Sequence, residues 1–121
     1  MVIKLNRSDI FKLLLNLQLP LNIPNQDGRT PLFLTAKNNN KAFCFALLKL
    51  GAAVDIRDMN GQTALLFACE NGSTEVVELL LQHGAKQNIL SNNNESALQL
   101  AAKNGHQKIV TLLTKVLKKS A

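Results

Sequence analysis

The chain contains no tryptophan and no tyrosine, and aromatic residues make up only 4% of its 121 positions. A β-sandwich or barrel leans on aromatic and β-branched side chains. Here leucine and alanine dominate a 46% hydrophobic content, which favours closely packed helices. Cysteine is scarce as well. Cys44 and Cys69 stand far apart in apolar surroundings, so they read as small buried hydrophobes in a reducing compartment, not as a disulfide framework. A chain of this length can bury a core without disulfides or a metal. The N-terminal apolar stretch is interrupted by Lys4, Arg7, Asp9 and Lys12, which argues against a signal peptide and against membrane insertion. These absences point to an intracellular, soluble chain, in the cytoplasm with the nucleus left open.

Acidic residues are missing from the whole stretch after Glu95, whereas Lys103, Lys108, Lys115, Lys118 and Lys119 follow it. The segment from Asp58 to Glu78 is acidic, so the net charge of +6 is unevenly spread. A basic end serves either as a solubilising surface or as a contact for nucleic acid or an acidic partner. The lack of interleaved aromatics and of a recognition-helix motif counts against nucleic acid. Chemistry is missing too. There is no Gly-rich phosphate loop, HExxH or nucleophile elbow, and no carboxylate pairs with a histidine at a suggestive spacing. Cys44, Cys69, His83 and His106 match no zinc spacing. No catalytic residue, no metal site and no cofactor is expected. His83, next to Gly84, is expected to be exposed.

What is present is repetition. Gly28-x-Thr30-Pro31-Leu32 returns as Gly61-x-Thr63-Ala64-Leu65 and again as Asn94-x-Ser96-Ala97-Leu98. In the same frame Thr35-Ala36, Ala68-Cys69 and Ala101-Ala102 correspond, and Leu47-Leu48 and Leu80-Leu81 are each followed by Gly-Ala. A period of about 33 residues, with a turn and two helices per unit, signals a solenoid. Thr30, Thr63 and Ser96 are placed to cap helices, with Pro31 as an apt first helical residue. Ala36, Ala68, Ala101 and Ala102 permit close approach of stacked helices. Val76, Val77, Leu79, Leu80 and Leu81, and later Ile109, Val110, Leu112, Leu113, Val116 and Leu117, recur at helical spacing. Gly28, Gly61 and Asn94 occupy turns, Gly51 and Gly84 end helices, and Asn39 stands where Gly72 and Gly105 stand. The run Asn38-Asn39-Asn40 is therefore a turn between two helices and not low complexity.

The pattern closely resembles the ankyrin repeat, whose core runs G-x-T-P-L-H-x-A-A, a G-H turn, V-V-x-L-L-L and G-A-D-V-N. The stretch GQTALLFACENGSTEVVELLLQHGA, residues 61–85, carries it best. The resemblance implies an all-α solenoid of stacked helix-turn-helix units joined by short β-hairpins. Its units would be an N-terminal partial capping repeat over 1–24, repeats over 25–57 and 58–90, and a C-terminal capping repeat over 91–121. In the partial repeat Ile10, Leu13, Leu14 and Leu17 would form the buried stripe.

The resemblance further implies a non-catalytic module that binds a partner protein or an extended peptide on its concave face. The family's variable positions fall here on Gln26, Asp27, Arg29, Lys37 and Asn38, then on Met59, Asn60, Gln62, Glu70 and Asn71. In the third unit they fall on Asn92, Asn93, Glu95, Lys103 and Asn104. The family's bracing histidine after T-P-L is replaced by Phe33, Leu66 and Gln99. Phe33 and Leu66 would then either offer an apolar strip with Met59 to a mixed-charge partner segment, or pack on each other and on the hairpins. Two other readings stand beside this one. The chain could be a targeting or substrate-recruiting segment of a larger effector or enzyme, or a basic domain that contacts nucleic acid.

Overall fold

The computed structural model describes residues 21–120, the last five by backbone alone. The expected stripe of Ile10, Leu13, Leu14 and Leu17 lies outside the described residues, as do the side chains of Val116, Leu117, Lys118 and Lys119. Among the described residues six helices follow in order: α1 Pro31–Asn38, α2 Lys41–Lys49, α3 Ala64–Asn71, α4 Thr74–Gln82, α5 Ala97–Lys103 and α6 Gln107–Ser120. They pair as α1/α2, α3/α4 and α5/α6. The first helices stack as α1 on α3 on α5, and the second as α2 on α4 on α6. The result is an all-α repeat solenoid, and no strand occurs among the described residues.

The expected β-hairpins are reduced to turns. Each is closed by two backbone bonds: Asn25 N–H to the Arg29 carbonyl and Gly28 N–H to that of Asn25, both 2.9 Å. Asp58/Gln62 with Gly61/Asp58, and Ser91/Glu95 with Asn94/Ser91, repeat the pattern at 2.8–3.0 Å. The turn is so tight that no ladder follows it, because the chain enters a helix immediately. Gln99 completes the start of α5. The Ser96 hydroxyl accepts the Gln99 N–H at 3.1 Å and the Gln99 amide oxygen accepts the Ser96 N–H at 2.9 Å. Thr63 caps α3 through the Leu66 N–H at 3.3 Å. Thr30 differs, since its side chain makes no cap. With Pro31 tightening the first turn, the Phe33 N–H bonds the Thr30 carbonyl instead, at 3.0 Å.

Burial follows the periodicity. Val76, Val77 and Leu80 are fully buried on α4 while Glu75 and Glu78 stay exposed, and Ile109 and Leu113 are buried on α6. Ala36, Ala68 and Ala101 are inaccessible between stacked helices. Ala102 departs from expectation, being exposed on α5, the last of the stacked first helices among the described residues. Adjacent units are also tied by side chains that recur at the repeat spacing. The Asn22 amide oxygen accepts the Ala53 N–H at 2.9 Å, and the Asp55 carboxylate accepts the Lys86 N–H at 3.1 Å.

The turn between paired helices carries a second tie. Asn39, Gly72 and Gly105 all adopt the left-handed conformation, at φ 50°, 79° and 75°. The residue after each has its own role. Asn40 caps α2 through the Phe43 N–H, the Ser73 hydroxyl donates to the Ala36 carbonyl, and His106 Nε2 donates to the Glu70 carbonyl at 3.0 Å. Gly72 is required twice over, because a Cβ built there would stand 2.6 Å from the His106 ring. Gly72→Ala should cost roughly 1–2 kcal/mol from the left-handed backbone alone. It should cost more through the displaced imidazole. Chemical unfolding of Gly72→Ala, His106→Ala and the double variant should show clear non-additivity.

Candidate functional site

The surface that carries the expected contact residues is built outward from the turns. In each turn one short polar side chain folds back on two backbone N–H groups. Asn25 accepts from Asp27 and Arg29, Asp58 from Asn60 and Gln62, and Ser91 from Asn93 and Glu95, all at 2.9–3.2 Å. Neighbouring turns are then joined directly: the Met59 N–H donates to the Asp27 carbonyl at 3.0 Å and the Asn92 N–H to that of Asn60 at 2.9 Å. The Asn92 side-chain amide adds a bond to the Met59 carbonyl at 3.0 Å. Arg57 reaches the carbonyls of Gly61 and Leu90 at 3.0 and 2.8 Å, locking the second turn to the third. Gln26, Asp27, Met59, Asn60, Asn92 and Asn93 are thereby held outward and exposed.

The charged and polar side chains behind the turns occupy two columns. One is Arg29, Gln62 and Glu95, and the other is Lys37, Glu70 and Lys103. Within the second unit the Gln62 amide donates to the Glu70 carboxylate at 2.7 Å, and within the third Lys103 pairs with Glu95 at 3.2 Å. In the first unit both members are cations and cannot pair. Arg29 turns instead to the next unit, with its Nε 3.2 Å from the Asp58 carboxylate and its guanidinium 4.5 Å from the centre of the Phe67 ring. Asp58 thus serves three donors while its side chain is 1% exposed.

Arg29 and Phe67 form a wall between two depressions. One, of about 390 Å³, runs from Asn60 and Glu70 to Glu95, Lys103 and Asn104. The other, of about 470 Å³, lies at the first-unit end, where Ile23, Leu34 and Lys37 meet Phe67. Lys37, Asn38, Glu70, Asn71, Lys103 and Asn104 are all exposed along the groove. Asn71 and Asn104 also turn their amides back onto the Phe67 and Leu100 carbonyls at 3.0 and 2.8 Å, so they end their helices.

Three expected contact residues are placed differently. Phe33 is 2% exposed and Leu66 1%, so the apolar strip they were to form with Met59 does not exist. They point between stacked first helices, and the Phe33 ring lies 5.8 Å from that of Phe67 in a tilted arrangement. Burial has replaced the family's hydrogen-bonded brace. Gln62 is also buried, at 8%, because its amide reaches in towards Glu70. Met59 does stand out at the turn, 71% exposed.

The apolar surface of the groove comes from residues the sequence reading passed over. Leu34 is 54% exposed and Ile23 64%, and half-buried Phe67 lies between the depressions. Leu34, Phe67 and Leu100 form a column at the repeat spacing, one residue beyond Phe33, Leu66 and Gln99. That column was visible in the period. So was the turn column Asn25, Asp58 and Ser91.

The reactive side chains are engaged in structure. Cys44 and Cys69 are inaccessible, and burial pushes both thiols above their ordinary value, that of Cys69 to about 12. His83 is half-buried against expectation, its Nδ1 2.9 Å from the Leu79 carbonyl near the end of α4. Among the described residues no group of three or more His, Cys, Asp or Glu is placed to hold a metal, and no helix is long and apolar enough to cross a membrane.

The family model described as ankyrin repeats (3 copies) matches residues 32–120, and the chain belongs to the ankyrin repeat family. No curated protein matches the chain. Ankyrin repeats are generally protein–protein interaction modules and are typically non-catalytic.

Two stability outcomes test this geometry. Asp58→Ala strips an acceptor from two N–H groups and the counter-ion from Arg29, and should cost about 2–3 kcal/mol in chemical unfolding. Asp58→Asn, which keeps an oxygen acceptor, should cost less. Phe33→Ala should cost about 3–5 kcal/mol and Leu66→Ala about 2–5 kcal/mol, as core truncations do. Losses below about 0.5 kcal/mol, the range of surface substitutions, would instead mark these two residues as part of the groove surface.

Proposed function

We propose that the chain is a non-catalytic module that binds another protein, or an extended segment of one, across its concave surface. The observation that carries this reading is the division of labour on that surface. Asn25, Asp58 and Ser91 hold the turns, while their neighbours Asp27, Asn60 and Asn93 are left exposed beside the groove. Lys37, Glu70 and Lys103 likewise stand exposed on successive first helices whose buried sides make the core. A row of side chains that folding leaves outward, on a scaffold fixed by backbone bonds, suits recognition of an extended chain. The cations of α6 fit a nucleic-acid contact less well. Lys108 and Lys115 share a depression with Glu78 of α4, on the second-helix side, so they do not continue the groove.

The test is capture of binding proteins on the immobilised full chain, followed by affinity measurement of the captured partner. Glu70→Arg combined with Lys103→Glu should weaken binding at least tenfold while leaving the unfolding midpoint nearly unchanged. Glu75→Arg, on the exposed face of α4, should bind as the parent does. Equal loss from the outer substitution, or none from the groove pair, would move the interface elsewhere.

A further inference from the structure

The two depressions differ in chemistry. The one between the second and third units has both of its groove carboxylates engaged within their own units, Glu70 by the neutral Gln62 amide and Glu95 by Lys103. The one at the first-unit end does not. Ile23 and Leu34, two of the four large hydrophobic side chains exposed among the described residues, both line it, and its volume of about 470 Å³ lies in the range of ligand pockets. Asp27 also lines it from the turn and Lys37 from the far part of α1. Neither takes part in an ion pair among the described residues, because Arg29, the remaining charge there, is committed to Asp58 and Phe67. The apolar floor therefore carries one unmatched anion and one unmatched cation in a fixed order.

We infer that this depression receives an apolar side chain of the partner segment, with a basic partner residue on the Asp27 side and an acidic one on the Lys37 side. The inference rests on the concave-surface binding proposed above and names the chemistry of what is bound. From Pro31 to Lys37 the helix rises about 9 Å, and Asp27 lies further out still. An extended chain advances about 3.3 Å per residue, so the two charges flank the apolar residue at a distance of one or two positions. Leucine, isoleucine or methionine suits the apolar lining, to which Ile23, Leu34 and Phe67 contribute. Charges exposed on a rim contribute modestly, so they order the segment while the apolar residue anchors it.

Capped pentapeptides with a central leucine, serine spacers and charged ends test this, titrated into the full ¹⁵N-labelled chain at low salt. The arginine–leucine–aspartate peptide should shift the amides of Ile23, Leu34 and Lys37, and serine in place of leucine should abolish the effect. The parent should prefer this peptide two- to fivefold over the peptides with two acidic or two basic ends. Lys37→Glu should move that preference to the doubly basic peptide, and Asp27→Lys to the doubly acidic one. Unchanged preferences in both variants, or shifts confined to other residues, would overturn the inference. So would contacts in the free protein from the Ile23 and Leu34 methyls to residues 1–20 or to a second copy, since the site would then be filled. A captured partner weakened by the Glu70→Arg, Lys103→Glu pair yet indifferent to Leu34→Asp would reject this occupant and leave concave-surface binding standing. Indifference to both would reject the wider reading.

Discussion

A short polar side chain that folds back on two N–H groups of its own turn is the interaction from which the row of turns and the groove beside it are assembled. Asn25, Asp58 and Ser91 each do this with different chemistry, an amide, a carboxylate and a hydroxyl, and reach the same geometry. The consequence is longer in range than the bond. Once the turn is closed, its outer carbonyl faces the next turn, and the Met59 and Asn92 N–H groups bond to Asp27 and Asn60 across the boundary between units. These bonds set the register of one unit on the next. Every column described above, whether of charge, apolar surface or small residues, exists because that register is kept at the repeat spacing.

The helices themselves could not supply it. Five of the six have seven to nine residues, too short to persist alone in water, where isolated helices below about 12–15 residues are marginal. Each pair leaves an apolar side that only its neighbour can cover, so stability resides between units as much as within them. The polar ties follow from the same need. Helix ends brought this close would strand backbone carbonyls, and Ser73 and His106 satisfy those of Ala36 and Glu70 from the following unit. Burial and hydrogen bonding thus serve the stacking, and on the other side of the first helices Leu34, Lys37, Glu70 and Lys103 remain exposed.

Much of this could be read in the amino-acid sequence because it is periodic. The helix starts at Thr63 and Ser96, the left-handed positions at Asn39 and Asn94, and the burial of Cys44 and Cys69 all follow from local rules applied in one frame. What could not be read depends on phase or on choice of partner. Successive residues of a helix are separated by a rotation of about 100°. That single step decides that Phe33 is buried and Leu34 exposed, and it is set by how the neighbouring helix sits. Thr30 has the residue type of a cap yet makes none, since the turn after Pro31 uses a backbone bond. The partner of Arg29 lies 29 positions away on another unit.

Arg29 also shows why the ends of a repeat array need not be equivalent. At matching positions the three units carry cation with cation, amide with anion, and anion with cation. Two of these combinations close on themselves. In the first unit like charge forbids closure, and Arg29 finds Asp58 and the Phe67 ring in the unit beside it. That choice has two effects at once. It strengthens the boundary between the first and second units, where a buried carboxylate gains a cation. It also leaves Lys37 unmatched beside the exposed Leu34 and Ile23. The break in the repeat pattern is therefore not a weakness in the scaffold. It moves one charge into the structure and holds another out of it, so a charge without an ion pair among the described residues stands beside exposed apolar side chains where the periodic pairing fails.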